Sequence, residues 1–236
     1  MARPPADPGR QLERAHRILD AASELIQRFG YDKTTIDDIA RAAGVAKGTI
    51  YLHWRTRDAL FAALLRRERV HLLDDVRRSA PSTLHDLLHG LARELLRRPL
   101  MRASLLGDSE VLGKLTRHKR ESGTAPPTGE LFETYIDALR DHGALRADLT
   151  TPEHLTVFAS TLYGFLTAQR YLPDSMKVPD ERLAELLADV GRRAMEPGGA
   201  GDAVAVAKAT QEYLDTAVTI AQDKLRESLG TKEYAT

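Results

Sequence analysis

The sequence predicts an all-α protein. Apolar residues recur at spacings of three and four along most of its 236 residues, and no stretch alternates apolar and polar side chains as a half-buried strand would. Glycines, prolines and short Ser/Thr stretches cut these periodic runs into segments of helical length.

Composition narrows the class. With 42% hydrophobic and 29% charged residues in 26.1 kDa, the chain reads as a globular protein able to form two small domains or one larger one. No run approaches the roughly eighteen apolar residues of a membrane span, and MARPPADPGR lacks the apolar core of a signal peptide, so the cytoplasm is expected. The absence of cysteine excludes disulfides, thiol redox sensing and cysteine-based zinc sites. Formal net charge is zero but unevenly spread: residues 1–78 hold fifteen Lys/Arg against eleven Asp/Glu, the remainder nineteen against twenty-three. The N-terminal end is therefore the basic one.

In chain order, residues 1–11 read as a disordered arm whose Arg3 and Arg10 can also reach a DNA minor groove. Ile18, Ala22, Leu25, Ile26 and Phe29 then form the apolar stripe of a first helix, ended by Gly30. From Thr34 to Trp54 the residues TTIDDIARAAGVAKGTIYLHW contain two short helices around one glycine. Thr35 and Asp38 have the spacing of a capping box, Ile36, Ile39, Ala40 and Ala43 face inward, and Gly44 can take the left-handed turn. In the second helix Val45, Ile50 and Trp54 face inward, leaving Lys47, Thr49, Tyr51 and His53 outward. A helix so equipped is what a DNA major groove accepts.

This stretch resembles the signature of TetR-type transcriptional regulators. The resemblance is carried by Ile39-Ala40, Ala43-Gly44-Val45, Lys47-Gly48-Thr49, Tyr51, Trp54, and Arg57, Asp58 and Leu60, and it covers roughly Leu12 to Leu73. Three positions depart from the pattern: Trp54 stands where phenylalanine is usual, Leu52 where an aromatic is common, and Arg57 where lysine is usual. The resemblance implies a helix-turn-helix domain over residues 12–72, with its motif at 35–54, and a helical ligand-binding and dimerisation domain over 73–196. It also implies phosphate contacts from Thr34 or Thr35, Tyr51, His53 and Arg57, and base contacts from Lys47 and Thr49, with Gly48 allowing close approach. Arg41 can reach phosphate or pair with Asp37 or Asp38.

A helix from Thr56 to about Ser79, with Leu60, Phe61, Leu64 and Leu65 inward, connects the two domains. Further helices are expected over Thr83–Arg98, around Ser109–Glu121, and over Gly129–His142, Pro152–Tyr171 and Asp180–Met195, with Gly123–Gly129 as a loop. The last two of these match the pair that joins family members across a twofold axis, although their stripes can equally pack within one subunit. After a linker at 197–202, residues 203–229 form an added helix with Val204, Ala207, Leu214, Val218, Ala221 and Leu225 along one seam, interrupted by Gln211. Such a stripe requires a partner, expected to be its own ligand domain or the dimer.

Phe132, Tyr135, Phe158, Tyr163 and Phe165 can line an effector pocket or simply fill the core. His85 and His89 stand four apart, but no third metal ligand accompanies them, and no metal or other cofactor is expected. No H-E-x-x-H, P-loop, dinucleotide glycine motif or G-x-S-x-G occurs, so an enzyme would need a site assembled only in three dimensions. The partners implied are an operator in double-stranded DNA, a small organic effector and a second copy of the chain, with no membrane. The reading is a repressor released by its ligand; the alternatives are an activator, a helical scaffold without DNA binding, and an all-α enzyme.

Overall fold

The computed structural model describes residues 8–107, 128–198 and 201–229, and within them holds ten α-helices, one short 3-10 turn and no strand. The helices are α1 (Pro8–Phe29), α2 (Ile36–Ala42), α3 (Lys47–His53), α4 (Arg57–Arg78), α5 (Leu84–Arg97), α6 (Pro99–Leu106), α7 (Thr128–Asp141), α8 (Thr151–Ala168), α9 (Asp180–Met195) and α10 (Ala203–Ser228). Two compact units emerge. Among the described residues, one gathers 8–70, 103–107 and 220–229, and the other 71–102, 128–198 and 201–219.

Several boundaries differ from expectation, among them the end of α8 at Ala168 where Tyr171 was expected. α1 begins at Pro8, inside the supposed arm, because a proline at the first helical position gives up an N–H that no intrahelical acceptor would have used. The same property lets Pro99 open α6, where the sequence had suggested a break. Thr128, assigned to a loop, opens α7 one residue before the expected start at Gly129. Arg3 and the helix expected around Ser109–Glu121 lie outside the described residues.

In the first unit, Ala15, Ile18, Leu19, Ala22 and Ile26 of α1 are buried, as are Leu60, Phe61 and Leu64 of α4. Phe29, expected in the same stripe, is 47% exposed, since the chain turns away at Gly30 and the Arg28 guanidinium lies over the ring at 5.0 Å. Arg67 of α4 is buried and donates to the His16 carbonyl at 3.2 Å and to Asp20 at 2.7 Å, which ties α4 to α1.

The second unit is built on α5 packed against α9. Leu84, Leu87, Leu88, Ala92 and Leu95 face Leu183, Ala184, Leu187, Ala188 and Met195, all buried. Each buried leucine contributes about 1.5–3 kcal/mol of transfer free energy. The helices approach closely because Gly191 has no side chain: a Cβ there would stand 2.5 Å from Leu88 Cδ1. The small residues Ala184, Ala188 and Gly191 thus define the buried face of α9. Leu186 and Val190, expected inward, are turned aside, and Val190 is 43% exposed.

The first part of α10 packs within this second unit. Val206, Thr210, Leu214, Ala217 and Val218 are buried, whereas Val204, at the start of the expected seam, is 81% exposed. The buried face follows Val206, Thr210 and Leu214 at intervals of four, and Val204 falls outside it. Gln211, which interrupts the expected seam, donates its side-chain amide to the Pro81 carbonyl at 3.3 Å, and Arg77 pairs with Asp215 at 3.3 Å.

The end of the supposed linker is firmly seated. Asp202 N–H donates to the His142 carbonyl at 3.1 Å, and the Asp202 carboxylate caps α10 by accepting from the Val204 and Ala205 N–H groups at 3.1 Å each. A Cβ at Gly201 would lie 2.8 Å from Ala144 N and from the His142 carbonyl oxygen, and 2.9 Å from Gly143 C, all backbone atoms with no side-chain freedom to yield. Gly201→Ala is therefore expected to displace the start of α10 and to cost about 1–3 kcal/mol, lowering Tm by roughly 3–10 °C in a thermal melt. An unchanged melting temperature would contradict this seating.

Candidate nucleic-acid interface

The site is built on two short helices and the turn between them. At the start of α2 the Thr35 hydroxyl accepts the Asp38 N–H at 3.2 Å, and the Asp38 carboxylate accepts the Thr35 N–H at 3.3 Å, closing a capping box with aspartate in the glutamate position. The Thr35 hydroxyl also donates to that carboxylate at 2.6 Å, and this bond first, then the one from the Thr35 N–H, holds the Asp38 carboxyl below its ordinary range. At the other end Gly44 adopts φ 64°, a conformation that favours glycine. Gly44 N–H meets the Arg41 carbonyl at 3.3 Å and Val45 N–H the Ala40 carbonyl at 2.9 Å, the paired bonds of a Schellman motif. Ile36, Ile39, Ala40 and Ala43 are buried as their spacing predicts.

α3 follows after Ala46, with Ile50 fully buried and Trp54, just beyond its end, 3% exposed. Lys47, Gly48, Tyr51 and Leu52 are exposed, while Thr49, His53 and Val45 are half-buried. A Cβ at Gly48 would meet nothing within 4 Å, so the surface there is open to an approaching ligand. Lys47 is not idle in this arrangement: its ammonium donates to Asp37 at 2.8 Å, and that hydrogen bond, with the carboxylate charge, raises its pKa. Arg41 lies 3.5 Å from Asp38, one of the two partners the sequence offered it.

Two expected contacts are drawn into the scaffold. Thr34 is 1% exposed and its hydroxyl donates to the Gly30 carbonyl at 2.8 Å, so its side chain lies away from the surface on which Lys47 and Tyr51 stand. A threonine can be buried here because that carbonyl satisfies its hydroxyl. Arg57 donates to the Thr34 carbonyl at 3.2 Å and lies over the Tyr31 ring at 4.1 Å, with about a third of its side chain still exposed. Tyr31, which the sequence reading passed over, organises this corner. It is buried, packs edge-on against Phe61 at 4.7 Å and donates its hydroxyl to Asp58. Burial first, and then the Asp58 hydrogen bond, push its pKa up to about 12, so it stays a donor.

The aromatic residues considered for an effector divide into two groups. In the second unit Phe132 stands 4.5 Å from Phe158 and 5.9 Å from Tyr135, whereas Tyr163 is 42% exposed and neither it nor Phe165 joins the ring contacts described here. The missing member is Tyr213 of α10, which stacks on Tyr135 at 4.8 Å and meets Phe132 at 5.6 Å. Thr210 donates its hydroxyl hydrogen to the Val206 carbonyl at 2.8 Å, so the Tyr135 hydroxyl must be the donor in its 3.0 Å bond to Thr210. His85 and His89 stack in parallel at 6.4 Å and face α9, with Asp189 3.5 Å from His85 and Glu181 3.7 Å from His89. Among the described residues no group of three or more His, Asp or Glu is placed to hold a metal ion.

Residues 18–64, which contain this site, match the family of bacterial regulatory proteins of the tetR type. The chain is 34% identical over 128 residues to an HTH-type transcriptional repressor of Mycobacterium tuberculosis, covering 54% of this chain and 65% of that one. It is 26% identical over 173 residues to an HTH-type transcriptional regulator of Bacillus subtilis, covering 72% of this chain and 90% of that one. Residues 18–64 thus carry the N-terminal domain of the tetR family. A solved structure of similar fold, the fatty acid degradation regulator of Bacillus halodurans, superposes with a TM-score of 0.58 at 19% identity over 76% of this chain and 94% of its own. Of the departures from the TetR pattern, Trp54 is inside and Leu52 is outside, 82% exposed on the surface of α3.

Burial, with the Arg14 charge as a smaller contribution, lowers the His53 pKa, so its imidazole is neutral at pH 7. The folded chain takes up a proton here less readily than the unfolded chain does. Stability linked to His53 is therefore present above about pH 6.5 and lost as the pH falls below it. In thermal melts from pH 7.5 down to 5.5, His53→Gln is expected to lose less Tm than the unvaried protein; equal losses would mean that His53 carries no such linkage.

Proposed function

We propose that this protein is a sequence-specific DNA-binding transcriptional regulator of the TetR family, a repressor released from its operator by a small organic ligand. The observation that carries this reading is α3 itself. It is a short helix on a doubly closed helix-turn-helix, with Lys47, Gly48, Thr49 and Tyr51 on its outer side and His53 at its end. Lys47 supplies a donor for guanine O6 and N7, and Thr49 a methyl for thymine, while Tyr51, His53 and the remaining Arg57 donors suit phosphates. Thr35 and Arg41, whose side chains already hold Asp38, flank that surface.

One seven-residue helix reads too few base pairs to select a site in a genome, so two copies must act together on a near-palindrome. The exposed apolar groups Tyr163, Tyr171, Met176 and Val190 lie on α8, on α9 and on the segment between them, and support that face as the one a second copy covers. The cluster of Phe132, Tyr135 and Phe158 supports an apolar or aromatic effector. Such a ligand regulates by binding one separation of the two reading helices better than another, and about 1.4 kcal/mol of preference changes operator affinity tenfold. The Mycobacterium tuberculosis relative is named a repressor, which favours that sign. An operator placed upstream of a promoter would reverse it.

Selection from a random duplex pool at about 0.15 M salt is expected to enrich a near-palindrome with two half-sites. Lys47→Ala should weaken binding of that duplex by roughly tenfold or more while the dimer persists in gel filtration. A folded, dimeric protein that enriches no sequence would refute the DNA-reading function.

A further inference from the structure

α3 has little to hold it in place by itself. It is two turns long, its N-cap residue Ala46 makes no side-chain hydrogen bond, and helices of this length are not stable alone in water. Its position therefore depends on the groups that anchor it, of which Ile50 and Trp54 are buried. Trp54 does more than fill space. Its indole N–H donates at 2.9 Å to the carbonyl of Ser228, the last residue of α10. Carbonyls in the final turn of a helix have no acceptor role left within it, so this one is available to a donor from elsewhere. Around the bond, Ala221 and Leu229 are buried and Leu225 half-buried, at intervals of four along one side of the helix. Residues 220–229 group with the reading unit, and not with the unit that holds the earlier turns of α10.

Two oddities of the sequence meet in this contact. A phenylalanine at position 54 would supply the ring but no donor, and a chain ending at 202 would supply no acceptor. We propose that the last turns of α10, residues 221–229, are a working part of the reading head and set the placement of α3 through the hydrogen bond from Trp54 to Ser228. Trp54 is then a positioning residue for operator recognition, acting through Tyr51 and His53 of the same helix. The idea rests on the DNA-reading function above, but the docking can be measured without DNA.

Trp54 is the only tryptophan, so its emission reports on this contact directly. The test compares the full chain with Trp54→Phe, Leu229→Glu and the double variant. Leu229→Glu is expected to red-shift Trp54 emission and make it more quenchable by acrylamide. Both single variants should speed amide exchange in Ile50–Trp54 and weaken binding to the selected duplex about fivefold to tenfold, with affinity for an unrelated duplex of equal length unchanged. The double variant should be no worse than either single one, because both break the same contact. Unchanged emission and exchange in Leu229→Glu would overturn the proposal, as would losses that multiply in the double variant. Equal weakening on both duplexes would also overturn it, by indicating general damage to the fold. Should the unvaried chain select no duplex, the regulatory reading falls, while emission and exchange still decide whether α10 holds α3.

Discussion

The left-handed turn at Gly44 is the constraint on which the reading surface depends. One residue at φ 64° ends α2 and aims α3, and the two backbone bonds that close the turn leave no freedom for side chains to adjust the angle. Ile39 and Ile50, both fully buried, then fill the space that this angle creates. The outward direction of Lys47 and Tyr51 is a consequence of where Ile50 must go. The Tyr31 corner holds the following segment in the same way, with Arg57 and Asp58 committed to one phenol.

Much of this could be read from residues alone where the signal was local. A capping box, a left-handed glycine and inward positions at three and four residues are short-range features, and Thr35, Gly44, Ile39 and Ile50 stand as the sequence predicts. Failures came where a residue's fate depends on something distant in sequence. Thr34 looks like a surface hydroxyl until the Gly30 carbonyl is seen to satisfy it. Val190 belongs to an apolar stripe by spacing, but Gly191 and the alanines beside it bring α5 so close that the buried face of α9 turns away from it. Tyr213 and Ser228 carried no signal at all, because each is defined by a partner more than seventy positions away.

The second unit solves a different problem from the first. Under the proposed function the first unit needs a fixed surface, whereas the second needs polar groups whose satisfaction can change. Its aromatic cluster includes one such pair, Tyr135 with Thr210, closed inside by the added helix. Burial pushes the Tyr135 pKa upward, so the phenol remains a neutral donor at any physiological pH. The tail thus contributes a ring and a hydroxyl to the same place, and the neighbourhood of Phe132 is not complete without it.

The ion pair between Lys47 and Asp37 has a consequence for how this surface meets DNA. A lysine that already has a carboxylate at 2.8 Å releases few condensed counterions when it meets an arbitrary phosphate, since its charge is largely matched before contact. A base edge at this position must compete with the Asp37 carboxylate for the same ammonium protons, so the aspartate shares in deciding which base Lys47 can read.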